Sequence, residues 1–157
     1  MKIDAELAGF LASPVMIIMG TCGDGNRPDI GRAVGASIDG ETGRMRLVLS
    51  SWQWPRTVEN LRKSGRAAVT FARPSDYVSY QVKGSATVQP PDPKDVAQSE
   101  RYVAAILEVL TGLGLDRRLA LPWLGNRDLV VIAIDVEAVY VQTPGPKAGR
   151  QLPVPHA

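Results

Sequence analysis

The chain has 157 residues and a mass of 16.9 kDa, and 45% of the residues are hydrophobic; this size predicts one domain that buries roughly 70% of its unfolded surface. With 18 basic and 16 acidic residues the formal net charge is +2, which argues against a nucleic-acid binder and against a disordered chain. A single cysteine, Cys22, and a single histidine, His156, exclude an internal disulfide and disfavour His-based triads and multi-His metal sites.

The first half of the chain is predicted to form a helix and then a series of strands. Ile3, Leu7 and Leu11 recur at helical spacing, and Ser13-Pro14 stops this helix. No apolar run approaches the ~20 residues that a membrane helix needs, so we expect no membrane association and a cytoplasmic location. Turns rich in Gly and Asp separate three predicted strands, which are Val15–Cys22, Ile30–Ile38 and Arg44–Leu49.

The second half alternates helices and strands. Pro55 favours a helix start after the loop Ser50–Pro55, and Gly84 predicts a bulge or bend in the fifth strand. The predicted elements are a helix Thr57–Lys63, strands Ala67–Ala72 and Tyr77–Val88, a long helix Lys94–Thr111, a helical turn Asp116–Leu121 and a strand Leu129–Val141. Six strands of this length, joined largely by hairpins, close most easily as a small antiparallel barrel, so the fold class is α+β. No Rossmann or P-loop fingerprint is present.

One predicted strand carries almost no side-chain bulk on one face. Alternate positions hold Gly31, Ala33, Gly35 and Ser37, and glycine in a strand often marks the close approach of a ligand or another backbone. This face could form the floor of a slot for an aromatic ring, with Trp52, Trp54 and Trp123 as its walls. The alternative is that each Trp fills the core or a dimer surface, which is its commoner role.

The loop after the third strand carries groups that suit a phosphate. Ser50, Ser51 and Thr57 supply hydroxyls, Arg56 supplies a guanidinium, and the following helix start supplies backbone N–H groups. Arg32 on the second strand could point into the same region. The alternative is an ordinary helix cap with a solvated arginine. Two further residues are interpreted as structural: Cys22 as a small buried residue and Asp24 as a turn residue.

These residues together resemble a known family. The hairpin Thr21–Pro28, the strand bearing Arg32, the segment Thr57–Leu61 and the step Val82–Ala86 occur in the order of the pyridoxamine 5′-phosphate oxidase-like, FMN-binding split-barrel superfamily. The resemblance covers about Phe10 to Val88 and a plausible final strand.

The resemblance implies a six-stranded antiparallel split β-barrel with flanking helices, a homodimer, and FMN held at the subunit interface. Arg32 matches a phosphate-contacting Arg, and Arg56 matches the basic position of an S-R-K motif. The implied cofactor-binding residues are Arg32, Ala33, Val34, Ser37, Ser50, Ser51, Trp52, Arg56, Thr57 and Ser79.

Several positions depart from the pattern of the true oxidase. Ser37 and Thr57 stand where it has lysines, Pro55 where it has the serine of S-R-K, and Ser79 where it has a glutamine. The loss of these contacts predicts that the chain does not oxidise pyridoxamine 5′-phosphate. Each lost charge-assisted bond would weaken FMN binding by ~1.5–3 kcal/mol unless other groups compensate.

The function expected from this pattern is a flavin-dependent oxidoreductase acting on an unidentified small molecule, with no catalytic residue assigned. Residues 1–143 would form the FMN-binding domain, and 144–157, rich in proline, an extended C-terminal arm. The alternatives are a binding module that holds a flavin or another planar ligand without turnover and, less favoured, a barrel that binds nucleic acid through Arg and Trp. A deazaflavin is the alternative cofactor. A His-ligated haem is disfavoured because His156 is the only histidine.

Overall fold

The computed structural model describes residues 2–153 and shows a six-stranded barrel with flanking helices. No helix within these residues is long and apolar enough to cross a membrane. Two short 3-10 helices, Asp24–Asn26 and Leu121–Trp123, interrupt the loops. The main elements are α1 (Ala5–Ala12), β1 (Met16–Cys22), β2 (Pro28–Asp39), β3 (Arg44–Ser50), α2 (Pro55–Ser64), β4 (Arg66–Ala72), β5 (Ser79–Gln89), α3 (Pro93–Gly112), α4 (Arg117–Ala120) and β6 (Leu129–Val141).

The strands close in the order β1-β2-β3-β6-β5-β4, and every pairing is antiparallel. The α+β barrel predicted from the sequence is therefore confirmed, with element ends that differ from the prediction by one or two residues. Residues of β1 alternate between the core and the outside, with Ile17 and Met19 fully buried and Met16 and Ile18 half-buried. This period of two is what one buried face requires.

Helix α2 packs against β1 and β2 with one side buried. Val58 and Leu61 join the core, and the buried Asn60 donates a hydrogen bond to Thr21 Oγ1 at 3.1 Å. Pro55 occupies the first turn, and Gly65 ends the helix in the left-handed region at φ 61°. Helix α2 thereby fixes the position of the loop that precedes it.

The small-residue face of β2 is not an open floor, so this prediction is wrong. A Cβ on Gly31 would lie 2.8 Å from Thr57 Oγ1, and one on Gly35 would lie 3.5 Å from the backbone of Ser99 in α3. The regular register between β2 and β3 shifts between Ala33 and Ala36. This bulge breaks the alternation assumed from the sequence. The glycines serve instead to let the chain's own helices approach β2.

One smaller expectation is wrong, and the structure adds the position of the C-terminal arm. Cys22 is exposed rather than buried. The first part of the proline-rich arm folds back onto the barrel, because Gln151 forms an antiparallel bridge with Tyr140 of β6. His156 and the other residues from 154 onward lie outside the described residues.

Helix α3 is attached to β3 through one buried carboxylate. Asp95 is 4% exposed and completes a capping box with Asp92 at the start of the helix. Arg46 of β3 donates two hydrogen bonds to the Asp95 carboxylate, at 3.1 and 2.6 Å. Burial alone would raise the pKa of Asp95, but the bonds from Arg46 and the Asp92 amide outweigh it and hold the pKa below its ordinary value of 3.8.

We expect Asp95→Ala to lower the free energy of unfolding by about 1–3 kcal/mol at neutral pH, less than for a fully buried pair. We expect a smaller loss than for a fully buried pair because the Arg46 side chain is 37% exposed, so water screens its interaction with Asp95. Because the folded pKa of Asp95 lies below the unfolded one, this contribution is present above the ordinary value of 3.8 and disappears as the pH falls through the folded pKa. Urea unfolding of both proteins at pH 7 and at acid pH measures it. An equal difference at both pH values would contradict this role.

Candidate functional site

The loop Ser50–Trp54 is tied to the segment Leu121–Asp128 by side-chain hydrogen bonds. Ser50 Oγ donates to the Arg127 carbonyl at 2.6 Å, and Ser51 Oγ donates to the Asp128 carbonyl at 2.7 Å. Gln53 donates to the Pro122 carbonyl at 2.6 Å and accepts from the Gly125 amide at 3.1 Å. These bonds hold the two segments side by side, next to the end of β3.

Two arginines stack on exposed tryptophans in this region. The guanidinium carbon of Arg32 lies 4.8 Å from the Trp123 ring centroid, and that of Arg127 lies 4.9 Å from the Trp52 ring centroid. Trp52 is 59% exposed and Trp123 43% exposed, so both rings keep a large open surface. The region therefore offers flat aromatic faces beside positive charge.

The packing of α2 on β2 brings together the backbone segments that carry Arg32 and Arg56. Gly31 contacts Thr57, and the two arginines are the chain neighbours of this contacting pair. Among residues 2–153, no hydrogen bond or ion pair engages either guanidinium. The predicted meeting of the two guanidiniums stays a prediction, because successive residues of a strand point to opposite faces and the face of Gly31 is the one that meets Thr57.

The N-terminus of α2 adds donors that the protein leaves unused. No side chain caps this helix, and Pro55 occupies its first turn. The indole N–H of Trp54, the N-cap residue, is buried and has no hydrogen-bond acceptor within the described chain. An unpartnered buried donor is costly and unusual, which makes this the clearest sign of a missing acceptor near the loop.

The three hydroxyls predicted to donate to a phosphate already donate hydrogen bonds to groups of the protein, which corrects that expectation. Ser50 is fully buried and its hydroxyl donates to Arg127, while the Ser51 hydroxyl donates to Asp128. Thr57 is also fully buried and donates to Asp29 Oδ2 at 2.6 Å. In this structure, the Ser50 and Ser51 hydroxyls position backbone and the Thr57 hydroxyl holds the Asp29 carboxylate, so none of the three offers a free proton to a phosphate.

The remaining predicted site residues are spread out within one chain. Ala33 and Val34 are each 1% exposed, so their side chains belong to the core. Ser37 pairs with Arg46, roughly 17 Å along β2 from Arg32 at the usual strand rise. Ser79 lies on β5, which β1 and β4 separate from β2, and its amide donates to Thr143. Within one chain, Ser37 and Ser79 thus lie away from Arg32, while the convergence of Arg32, Trp52 and Arg56 stays a prediction.

Sequence reasoning missed Gln53, Arg127 and Asp29. The polar turn Asn126–Asp128 was visible before the last strand, but its role depends on the pairing of β3 with β6, where Ser50 lies opposite Leu129. Asp29 follows Pro28 at the strand start and gave no separate signal. Each of these residues acts through a partner far away in the chain.

Tyr102 is a titratable side chain close to Arg32, and it could act as an acid or base only if its hydroxyl were free to ionise. Burial raises the pKa of Tyr102 far above its ordinary value of 10.0, although Arg32 acts in the opposite direction. Its hydroxyl donates to the Val15 carbonyl at 2.7 Å. Tyr102 is therefore a neutral, structural group. No cluster of three metal-ligating side chains occurs in residues 2–153.

A phosphorylated flavin needs donors and positive charge for its phosphate and an apolar slot for its planar ring. Two guanidiniums, an uncapped helix N-terminus and the orphaned Trp54 N–H suit the phosphate, and the Trp52 and Trp123 rings suit a planar body. The Asp29 carboxylate opposes a second negative charge nearby. The residues therefore fit a phosphorylated flavin, but the Asp29 carboxylate makes the net positive charge at the site smaller than the sequence predicts.

The chain is similar to known proteins in sequence and in fold. A family model described as pyridoxamine 5′-phosphate oxidase matches residues 3–142. The chain is similar in structure to HupZ of Group A Streptococcus, at TM-score 0.57 and 18% identity, over 94% of this chain and 99% of HupZ. It is also similar to HutZ of Vibrio cholerae, described as a heme storage protein, at TM-score 0.53 and 13% identity, over 90% and 95% of the two chains.

A third similar structure is an F420 reductase, at TM-score 0.51 and 17% identity, over 83% of this chain and 93% of the reductase. No curated protein matches the sequence. Because all three identities are low, these likenesses bear on the fold alone.

Proposed function

The chain belongs to the pyridoxamine 5′-phosphate oxidase family, and we propose on that basis that it binds FMN and acts as a flavin-dependent oxidoreductase on a small molecule. The observation that carries this proposal is the pair Arg32 and Arg56, which flank the Gly31–Thr57 contact at the uncapped start of α2. Positive charge and free backbone donors at one point are what a phosphate monoester needs.

The flavin, when bound, supplies the electron-transfer chemistry. This chain's residues would bind and orient it. Arg32 and Arg56 would neutralise the phosphate, the Trp54 N–H would donate to an acceptor at the loop, and Trp123 would shield one side of Arg32 from water. The hydrogen bonds of Ser50, Ser51 and Gln53 would keep the loop in place, so that binding would cost little conformational entropy.

The substrate differs, in this proposal, from pyridoxamine 5′-phosphate. The lysines that the true oxidase uses are Ser37 and Thr57 here, and Thr57 is buried against Asp29. A second anionic group would therefore meet less positive charge than in that enzyme. An uncharged or cationic small molecule suits the site better.

A homodimer is part of the proposal. The apolar side chains exposed near Arg32 include Ile30 at 62%, Leu121 at 43% and Trp123 at 43%. Exposed apolar residues of this size beside a polar rim commonly mark an interface. A partner would also cover the flavin site, which in one chain is open on the outer side of β2.

The second candidate is a binding module that holds a flavin or deazaflavin without turnover. The observation that favours it is that the hydroxyls near Arg32 already have hydrogen-bond acceptors. Those of Tyr102, Ser50 and Thr57 all donate to groups of the protein. The Asp29 carboxylate of the same region likewise accepts a hydrogen bond from Thr57. Turnover would then depend on the flavin and substrate alone.

The test is the absorption spectrum of the purified protein, with mass spectrometry of the ligand that acid releases. We expect FMN, or an apoprotein that added FMN saturates. Coupled consumption of NADH or NADPH with a reducible acceptor separates the enzyme from the binding module. A colourless protein that high micromolar FMN does not saturate, or release of a deazaflavin, would contradict FMN as the cofactor.

Asp29→Asn is expected to strengthen FMN binding by about 1 kcal/mol, roughly fivefold, because it removes a negative charge near the phosphate. The amide oxygen introduced by this substitution can still accept the hydrogen bond that Thr57 donates to the Asp29 carboxylate. Thr57→Val is the control, since it breaks this bond but keeps the charge. Calorimetric titration with FMN measures both. Unchanged FMN affinity in Asp29→Asn would place the phosphate away from Asp29.

A further inference from the structure

A cleft lies away from the residues of the proposed flavin site. It has a volume of about 990 Å³ and lies between the β5–β6 wall and the returning C-terminal segment. Its wall includes Val78, Tyr80 and Val141, and its opposite side includes Pro146, Lys147 and Arg150. We propose that this cleft binds a small organic anion with an apolar body, of the class of medium-chain carboxylates.

The cleft is built by backbone hydrogen bonds rather than by loose side chains. The Val141 amide donates to the Arg150 carbonyl at 2.9 Å, and the Gly149 amide donates to the Val141 carbonyl at 2.8 Å. Leu152 donates to the Val139 carbonyl at 2.8 Å. Gly149 has φ 81°, a value that glycine adopts without strain, so the chain can return here. The segment is therefore preformed opposite the barrel wall.

The charges of the cleft have one sign. Lys147 and Arg150 are exposed, and neither forms an ion pair with any residue of the described chain. Arg73, on the adjoining crevice, is by contrast held by Asp76 at 2.7 Å. No acidic residue lines the 990 Å³ cleft within the described chain. Two free cations at the edge of an apolar wall suit an anionic head and a hydrophobic body.

The apolar side of the cleft continues toward α1. Tyr80 and Val78 line both the cleft and the adjoining crevice, and the Tyr80 ring packs edge-to-face on Phe10, with centroids 5.1 Å apart. This contact holds the Tyr80 ring against the wall. A chain of several methylenes could lie along this surface while its carboxylate meets Lys147 and Arg150.

The test uses 1-anilinonaphthalene-8-sulfonate, an aromatic anion that fluoresces when it leaves water, displaced by octanoate or by the uncharged 1-octanol. We expect octanoate to displace the probe at about tenfold lower concentration than 1-octanol, as one ionic contact of ordinary strength implies. Lys147→Gln with Arg150→Gln should weaken probe binding about tenfold and abolish that preference. The control is Arg62→Gln with Lys94→Gln, which removes the same charge elsewhere and should change affinity less than about twofold.

A second variant tests the location without removing charge. Val141→Trp fills the cleft wall and should also weaken probe binding, which keeps the proposal testable if the double variant does not fold. Equal affinities of the wild type and both cleft variants, or an equal loss in the control, would overturn the proposal. So would equal displacement by octanoate and 1-octanol. None of these outcomes depends on flavin binding, so the two proposals fail independently.

Discussion

Replacing both Arg32 and Arg56 with Ala is expected to weaken FMN binding by about two to four orders of magnitude. Each charge-assisted contact with phosphate contributes ~1.5–3 kcal/mol, and every 1.4 kcal/mol is tenfold in affinity. Because both residues would contact the same phosphate, their losses are expected to be coupled, and comparing the single variants with the double variant measures that coupling. Fluorescence titration of FMN with each single variant and the double variant measures the loss.

The matched control for this experiment is Arg62→Ala with Lys94→Ala. Both residues are exposed, and Arg62 lies in the last turn of the same helix that begins near Arg56. The control lowers net charge equally but removes no phosphate contact, so binding should fall by less than about threefold. A loss as large as in the Arg32 and Arg56 variant would show a general charge effect.

Ile30→Glu is expected to dissociate the homodimer and to lower flavin affinity with it. Ile30 is 62% exposed on the outer side of β2, two residues from Arg32. A carboxylate buried in an interface without a partner costs several kcal/mol, which raises the dimer dissociation constant by about 100-fold or more. Sedimentation velocity across the micromolar range, with and without FMN, measures the change.

Leu113→Glu is the control for the dimer prediction. Leu113 is 52% exposed at the end of α3, so the substitution introduces the same charge at another exposed apolar residue. We expect this variant to remain dimeric. A wild-type particle of 16.9 kDa at all these concentrations would contradict the dimer itself, and a dimeric Ile30 variant would move the interface elsewhere.

The fold was largely predictable from the sequence because its signals are local. Turns rich in Gly and Asp separate β1, β2 and β3, and prolines and glycines bound α2 and α3. Hairpins account for the pairings β1–β2, β2–β3 and β4–β5, whereas closure depends on the long-range pairings β1–β4 and β3–β6. What local patterns could not show is the bulge between Ala33 and Ala36, which changes which side of β2 is covered.

The candidate site was less predictable because its hydrogen bonds are long-range. Ser50 pairs with Arg127, 77 residues away, and Thr57 pairs with Asp29, 28 residues away. A hydroxyl in a loop looks available in the sequence, whereas here each donates to a distant acceptor. The backbone segments of the two arginines lie close together, because α2 follows β3 directly and β3 pairs with β2, but the meeting of their side chains stays a prediction. Their binding of a phosphate remains a prediction.

The most direct measurement is a calorimetric comparison of FMN with riboflavin, which lacks only the phosphate. If Arg32, Arg56 and the start of α2 hold that phosphate, FMN should bind at least about 100-fold more tightly than riboflavin. The preference should largely vanish when both arginines are replaced by Ala. Equal affinity for the two flavins, or a preference that survives the double replacement, would contradict a phosphate site at these arginines.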